Sequence, residues 1–338
     1  MKLNVSEAML RGDKLRQRYL NTICAVLLAL ALAGCSSSSG QNSGGASRAG
    51  QGAAFKYSGS GRIQATATTG MVADIVQNIG GDRVQVAGLM GAGIDPHLYK
   101  ATPGDIRKLT DSDMVFYNGL HLEGKMGDVL EKIGERKPVV AVAEAIDNKQ
   151  LLKPTAFEGN PDTHVWFDVS LWMQAVEAVR NALVEFDTAN SAEYKKRADA
   201  YLAKLKELHE YSKKQLATIP KARRVLVTAH DAFGYFGRAY DVEVLGLQGI
   251  STASEYSVQD VQRLGDIISK RGIKAVFVES SVPSRSVEAV VQRSQAKGHA
   301  LRIGGTLYSD AMGRAGTPEG TYLGMVRHNV DTIVKALK

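Results

Sequence analysis

Short apolar runs alternate with segments of helical periodicity along most of the chain, and this alternation constrains the fold more than any other feature. Strands that alternate with helices are typical of parallel α/β sheets. The alternation occurs twice, before residue 170 and after residue 220. We therefore predict an α/β protein with two lobes, each a mostly parallel β-sheet flanked by helices. The candidate strands are Val84–Leu89, Met114–Tyr117, Val139–Val142, Val225–Thr228, Ala275–Val278 and Ala300–Ile303.

A long amphipathic segment separates the two alternating regions. Its apolar residues, from Tyr194 to Leu216, recur near helical spacing, and Pro220 ends the pattern. As one helix, Ser191–Ile219 would be a rod of roughly 44 Å. It is either an amphipathic surface helix or a rigid connection that resists hinge bending. The second interpretation divides the chain into a first lobe at 62–187, a connecting helix at 188–220 and a second lobe at 221–338.

The amino end has the pattern of a targeting segment. Basic residues between Arg11 and Arg18 precede the apolar stretch Ile23–Ala33, which is too short to span a bilayer comfortably. The stretch ends in small residues before Cys35, which resembles the bacterial lipobox. We predict a lipoprotein signal peptide at 1–34, then an acylated Cys35 with a Ser/Gly-rich flexible tether at 35–61. An uncleaved anchor and a secretory signal are the alternatives, and Met9 is an alternative start.

Charge and cysteine content limit the class of function. The net charge is +7, and removal of residues 1–34 leaves 37 basic and 33 acidic residues, or +4, without a basic block. Such a chain gives no reason to expect nucleic-acid binding. Cys24 and Cys35 are the only cysteines. Because the first lies in the signal segment and the second would carry lipid, any metal must be held by nitrogen and oxygen.

Three histidines and one aspartate, far apart in the sequence, are the candidate site. His97, His164, His230 and Asp310 each lie in a polar loop beside a short apolar run. Ligands of open α/β sheets bind outside the carboxyl ends of the strands, where most of these loops are expected. Three imidazoles and one carboxylate make a complete shell for a divalent transition metal.

Other polar residues are assigned more weakly. A lone histidine beside a strand is more often structural than a ligand, and we interpret His209, His299 and His328 as structural or solvated. The imidazoles of a metal site need partners that accept their second N–H. The candidates for this role near the site are Glu123, Glu255 and Glu279. His121 is predicted to support the site as a hydrogen-bonding group near the cleft, with direct ligation as the alternative.

A set of longer motifs carries a resemblance to a known family. The motifs are Asp95–Tyr99, Tyr117–Glu123, His164–Asp168, Thr228–Phe236, Gln248–Thr252, Val278–Ser281 and Tyr308–Gly313. Together they resemble the metal-binding substrate-binding lipoproteins of ABC importers, cluster A-I, and in particular the TroA-like zinc/manganese solute-binding proteins. The resemblance covers about residues 62–338.

The resemblance implies one metal ion in a cleft between the lobes. His97 and His164 would be ligands from the first lobe, and His230 and Asp310 from the second. The bound cargo would be Zn²⁺ or Mn²⁺, one ion per chain. The implied protein is a monomer, lipid-anchored on the outer side of a bacterial membrane, that serves an ABC permease and its ATPase.

The resemblance leaves the metal open. Many manganese-binding relatives have Glu at the position of His230, and many zinc-dedicated relatives carry a His-rich loop. Residues 147–163 of this chain contain no His and no acidic run, so the chain matches neither specialised pattern. Three imidazoles favour zinc by affinity, since divalent affinity at such sites is lower for manganese.

Two other functions are weighed against metal capture. A metallohydrolase would normally keep an open metal position for water, whereas four protein ligands fill a tetrahedral shell. The sequence also lacks a His-Glu-x-x-His helix and a Gly-x-Ser-x-Gly elbow. We therefore expect no enzyme. A metal-dependent surface adhesin stays open, because some proteins of the resembled family are described in that way.

Overall fold

The computed structural model describes residues 55–157 and 159–338. The predicted signal peptide, Cys35 and most of the tether therefore lie outside the described residues. The first half of the described chain forms a parallel sheet with strand order β2-β1-β3-β4. Its elements are β1 (Ile63–Ala67), α1 (Gly70–Gly80), β2 (Val84–Gly88), α2 (Pro103–Asp111), β3 (Met114–Tyr117), α3 (Gly127–Gly134), β4 (Val139–Ala141) and α4 (Val169–Phe186).

The second half repeats the alternation of strand and helix. Its elements are β5 (Val225–His230), α6 (Gly234–Tyr240), β6 (Glu243–Gln248), α7 (Val258–Arg271), β7 (Ala275–Glu279), α8 (Arg285–Ala296), β8 (Arg302–Leu307) and α9 (Tyr322–Leu337). Strand β5 pairs with β6 and β7 with β8, both parallel, and β5 contacts β7. The predicted two-lobed α/β fold is confirmed.

One long helix, α5 (Ser191–Leu216), joins the two halves. Its 26 residues span about 39 Å at the α-helical rise. The buried face includes Tyr194, Tyr201 and Leu205, and the helix packs on α1 and α4 of the first lobe and on α9 of the second. The hydroxyl of Tyr201 also donates to Asp74 Oδ2 at 2.6 Å. The helix is therefore packed along both lobes rather than exposed between them.

The apolar core is shared between the lobes. One cluster of buried side chains runs from Ile63 in β1, through Trp166 and the face of α5, to Phe277 in β7 and Leu337 in α9. A smaller cluster lies under α7 and α8, and another lies around Leu109 of the first lobe. Separating the lobes would expose the apolar side chains of this shared cluster to water, and that exposure would be costly.

The strands predicted from the sequence differ from the observed strands at two segments that contain glycine. Strand β8 was predicted at Ala300–Ile303 but continues to Leu307 through Gly304 and Gly305. A Cβ on Gly304 would lie 2.8 Å from the Cβ of Ala336 and 2.9 Å from Phe277. Glycine thus allows the strand to run close beneath α9, although glycine pairs usually indicate a turn. Strand β6, which the pattern missed, contains Gly246 for a similar reason.

Strand β1 was also absent from the candidate strands. Helix α2 has a recognisable start, since Thr102 accepts from the Asp105 amide and Pro103 occupies its first turn. No α-helix within residues 55–157 and 159–338 is long and apolar enough to cross a membrane.

The packing of α5 predicts a large stability difference between neighbouring positions. Leu205 is fully buried and Lys204 is exposed. We expect Leu205→Ala to lower the free energy of unfolding by about 2–5 kcal/mol because it leaves a cavity. The matched control Lys204→Ala should change it by less than about 0.5 kcal/mol. Urea denaturation followed by circular dichroism measures both. Equal effects would mean that the helix is not packed in this way.

Candidate metal centre

The structure brings the four predicted residues together. One nitrogen from each of His97, His164 and His230 and one oxygen from Asp310 lie within 4.8 Å of one another, and all four residues are buried. Two come from the first lobe and two from the second. The site therefore lies between the lobes.

Each residue is placed by the end of a structural element. His230 is the last residue of β5, and His97 lies in the loop that follows β2. His164 immediately precedes a 3₁₀ turn, Val165–Phe167, that leads into α4. Asp310 follows β8, where the indole of Trp166 donates to the carbonyl of Ser309 at 3.1 Å. This last contact joins the first lobe to the residue next to Asp310.

The distances between the donor atoms match those around a small cation. His164 Nε2 lies 3.3 Å from His97 Nε2 and 3.4 Å from His230 Nε2. Asp310 Oδ1 lies 3.4 Å from His164 Nε2, and Oδ2 lies 3.2 Å and 3.8 Å from Nε2 of His230 and His97. A tetrahedral ion with bonds of about 2.0–2.1 Å would have ligand separations of roughly 3.3–3.4 Å. The four groups can therefore hold one metal ion.

The carboxylate of Asp310 is the group at the centre that most needs a partner. Both of its oxygens are buried, and neither takes part in a hydrogen bond within the described part of the chain. A buried carboxylate without hydrogen bonds is costly, and buried charges are normally paired or bound to metal. The donor set of three nitrogens and one carboxylate suits a divalent transition metal.

Two imidazoles are oriented by carboxylates on their far side. The Nδ1 of His164 lies 2.7 Å from Asp162 Oδ1, and the Nδ1 of His230 lies 2.5 Å from Glu279 Oε2. The same carboxylates also accept the two backbone amides, each at 2.9 Å. Because Nδ1 donates its proton outward, the Nε2 lone pair can face the centre.

The carboxylates also explain the protonation of these imidazoles. Burial opposes the charged form of His164, but Asp162 and Asp310 raise its pKa to about 9. Burial likewise opposes the charged form of His230, yet Glu279 and Asp310 raise its pKa well above its usual value. Without a metal ion at neutral pH, both rings therefore carry a second proton, on Nε2, which metal binding would have to displace.

His97 and Asp310 shift in the opposite direction. Burial lowers the pKa of His97 to about 3, so this ring is neutral at physiological pH. Burial alone would raise the pKa of Asp310, but the imidazoles of His230 and His164 hold it well below its usual range. The carboxylate is therefore ionised wherever the protein is folded near neutrality.

The residues predicted for supporting roles separate into two groups. Glu279 lies against the ring of His230. Glu123 is buried elsewhere, where it accepts from Thr68 Oγ1 at 2.6 Å and from the amides of Asn118 and Gly119. The structure therefore contradicts an imidazole contact for Glu123, because backbone amides and a hydroxyl occupy its oxygens.

His121 and Glu255 are exposed and stand apart from the four ligand atoms. His121 lies in a tight turn with a positive φ of 65°, and Glu255 lies in the loop before α7. The supporting roles predicted for them are not seen. The sequence reasoning missed Asp162, although the spacing Asp-x-His at 162–164, repeated at 95–97, could have identified it.

The remaining histidines form contacts away from the centre. His209 lies 3.3 Å from the hydroxyl of Tyr240, and His328 lies 3.0 Å from the carbonyl of Thr306. His299 contacts the carbonyl of Ile273. These contacts agree with the structural roles expected from the sequence.

Comparison with known proteins decides the family. The family described as ZnuA, zinc-uptake complex component A, periplasmic, matches residues 66–336. The chain belongs to the ZnuA family. This ZnuA-family protein is thus one of the metal-binding substrate-binding proteins, as its motifs predicted, and the expectation that it is not an enzyme is confirmed.

The relatives of this ZnuA-family protein are named for different metals. It is 53% identical over 278 residues to the manganese-binding lipoprotein MntA of Bacillus subtilis, covering 82% of this chain and 90% of the relative. It is 52% identical over 270 residues to the zinc-binding protein TroA of Treponema pallidum, covering 80% and 87%. The solved structure of periplasmic zinc-binding TroA from Treponema pallidum superposes with a TM-score of 0.80 at 51% identity, covering 82% of this chain and 99% of that one.

The raised pKa values predict that a metal ion must displace protons. We expect roughly one to two protons to be released per Zn²⁺ bound at about pH 7, because His164 and His230 bind metal only when neutral. The apparent affinity should therefore rise as the pH increases towards the pKa of His164, about 9. Calorimetry in buffers of different ionisation enthalpy counts the protons. Binding heats that do not depend on the buffer would contradict the assigned protonation of the two rings.

Proposed function

We propose that this protein captures one divalent transition metal ion outside the cytoplasm and delivers it to the permease of an ABC importer. The supporting observation is the set of four buried ligand atoms at tetrahedral spacing, with both Asp310 oxygens unpartnered within the described chain. The ligands would be His97, His164, His230 and Asp310. MntA and TroA, named as manganese- and zinc-binding proteins, support a metal ion as cargo.

The ligand set favours retention of an ion over catalysis on it. Four protein groups fill a tetrahedral shell, so that no position stays open for a reacting water. A cleft of about 340 Å³ leads to the site, and Asp310 is the one ligand among its lining residues. Its walls include Met90 and Ile94 of the first lobe and Met312 of the second. We infer that the ion enters and leaves beside Asp310, and that the permease releases it by loosening this loop.

We propose that zinc binds more tightly than manganese. Neutral imidazoles suit Zn²⁺, and Mn²⁺ stands at the weak end of the divalent series. Both Asp310 oxygens approach imidazole nitrogens, at 3.4 Å and 3.2 Å, so a carboxylate bound through both oxygens is also compatible with the site. Metal supply as well as affinity decides the cargo in the cell.

We also propose the cellular setting that the sequence predicts. Cys35 would carry the lipid anchor, and residues 35–61 would tether a monomer at 62–338 to the outer side of a bacterial membrane. The permease and its ATPase would be the partners. The streptococcal relative SloC, 30% identical over 283 residues, is named a metal ABC transporter substrate-binding lipoprotein, which supports this setting. The adhesin role stays a prediction.

The site assignment predicts which variants lose metal. After purification of residues 36–338, elemental analysis should give about one equivalent of metal, and Zn²⁺ should displace Mn²⁺. His164→Ala and Asp310→Ala should each lose most of it, because each removes a ligand and Asp310→Ala also removes the negative charge. His209→Ala is the matched control and should retain the full equivalent, since His209 contacts Tyr240 instead. Full metal content in both ligand variants would overturn the assignment.

The shared core predicts a small movement on binding. We propose lobes at 62–187 and 221–338 joined by the helix at 188–220, with α5 packed along both. Because α5 contacts both lobes and one apolar cluster spans them, hinge opening would expose apolar surface. Small-angle scattering should therefore show a change of less than about 1 Å in the radius of gyration between metal-free and zinc-loaded protein. A change of several ångströms would contradict this expectation.

A further inference from the structure

Two ligands share the same local motif but differ in how their rings are supported. In both Asp95-Pro96-His97 and Asp162-Thr163-His164, the aspartate Oδ1 accepts the backbone amide of the histidine at 2.9 Å. Asp162 Oδ1 also accepts the ring Nδ1 of its histidine. Asp95 makes no such ring contact in the part of the chain that the structure describes. It supports the backbone of His97 and leaves the ring to be positioned by its loop.

The second oxygen of Asp95 crosses to the other lobe. Thr252 Oγ1 donates to Asp95 Oδ2 at 2.6 Å, across 157 residues of sequence. Both residues are half-buried. At 2.6 Å the distance is at the short end of the range for O–H···O hydrogen bonds. One carboxylate thus joins the backbone of a first-lobe ligand to the second lobe.

The loop around Thr252 is itself tied to another ligand. Gln248 Nε2 donates to the carbonyl of Thr252 at 2.8 Å, and Gln248 pairs with His230 in the β5–β6 register. The contacts from His97 through Asp95, Thr252 and Gln248 to His230 are therefore continuous. They connect one ligand of each lobe by a route that does not pass through the metal.

The loop that carries Asp95 and His97 forms a wall of the cleft that leads to the site. Gly91, Ala92 and Ile94 line the cleft together with Asp310 and Met312, and all three are exposed. The loop is therefore supported from the second lobe at Asp95, where the exposed wall ends. If this support is lost, the wall can move away from Asp310 and take His97 with it.

We propose that the hydrogen bond between Asp95 and Thr252 is a latch that closes the cleft and positions His97 over the bound ion. Asp95 and Thr252 are positioning residues, since neither is among the four ligand residues. The latch slows escape of the ion and leaves the ligand set unchanged. This inference rests on the proposed function, because it needs an ion to retain.

The test is the dissociation rate of zinc from the full chain purified in detergent. Thr252→Val keeps the shape of the side chain and removes the hydroxyl. We expect it to bind one equivalent of zinc and to release it about tenfold faster, the change expected when a half-buried acceptor loses one hydrogen bond. Stopped-flow mixing with excess EDTA and a zinc indicator measures the rate.

Four further variants distinguish a latch from a general loss of stability. Thr252→Ser keeps the hydroxyl and should restore the slow rate. Thr110→Val removes a hydroxyl that bonds only within α2, to Ile106, and should leave the rate unchanged. In the Asp95→Ala background, Thr252→Val should add no further acceleration, because the two residues act as one bond.

The outcomes separate the two proposals. If the unaltered chain binds no zinc, the proposed function fails and the latch fails with it. If the unaltered chain binds zinc but Thr252→Val releases it at the same rate, the latch is wrong and the metal site stands. A lower melting temperature for Thr252→Val with an unchanged release rate would assign Thr252 a structural role only, which also overturns the latch.

Discussion

The buried carboxylate of Asp310 is the group on which the arrangement of the site depends. It lies among three imidazoles without a hydrogen-bond donor in the described chain. Its charge raises the pKa of His164 and His230 against the effect of burial, while their charge lowers its own. The ionised Asp310 and these two imidazoles therefore stabilise one another's charged forms. A divalent ion can replace the ring protons without moving the ligands far, because the separations are already close to those around a metal.

The distances between the ligand atoms of the two lobes are kept only if the lobes do not move relative to each other. The apolar cluster that spans both lobes and the packing of α5 hold the lobes in place, and specific contacts do so near the site. Tyr322 donates to the carbonyl of Trp166 at 2.7 Å, and Trp166 donates to that of Ser309. These two hydrogen bonds join the first lobe to the second, one of them at the residue next to Asp310. A preorganised site spends less of its binding free energy on ordering its own groups.

The sequence was sufficient to predict the fold class and the four residues that the structure brings together, and the reasons are local. Strands such as Met114–Tyr117 are short, apolar and bounded by polar residues, so that their ends can be read directly. His97 and His164 lie in polar loops beside short apolar runs, and this placement made them candidate ligands. The long helix also has a regular apolar face. In each case the signal lies within a few residues.

What the sequence did not provide depends on contacts between distant segments. The apolar pattern missed β6 because this strand contains Gly246. A glycine is required there only because another segment of the chain passes close to it. A Cβ there would lie 2.7 Å from the backbone of Asp231, next to His230. Glu123 could not be separated from Glu279 by sequence, since both are buried acids beside strands. Only the structure shows that Glu123 accepts hydrogen bonds from Thr68 and two backbone amides, whereas Glu279 contacts the imidazole of His230.

The ligands are not held equally, and this inequality suits a site that must both retain and release an ion. His164 and His230 each have a carboxylate against Nδ1, which fixes the ring and strengthens it as a ligand. His97 lacks that support in the described chain, has a much lower pKa and stands on an exposed loop. A ring held by its loop can leave the ion when the loop moves, while the rings of His164 and His230 stay clamped. Tight binding and release on contact with a permease then require different parts of the same site, which a shell of four equally clamped ligands could not provide.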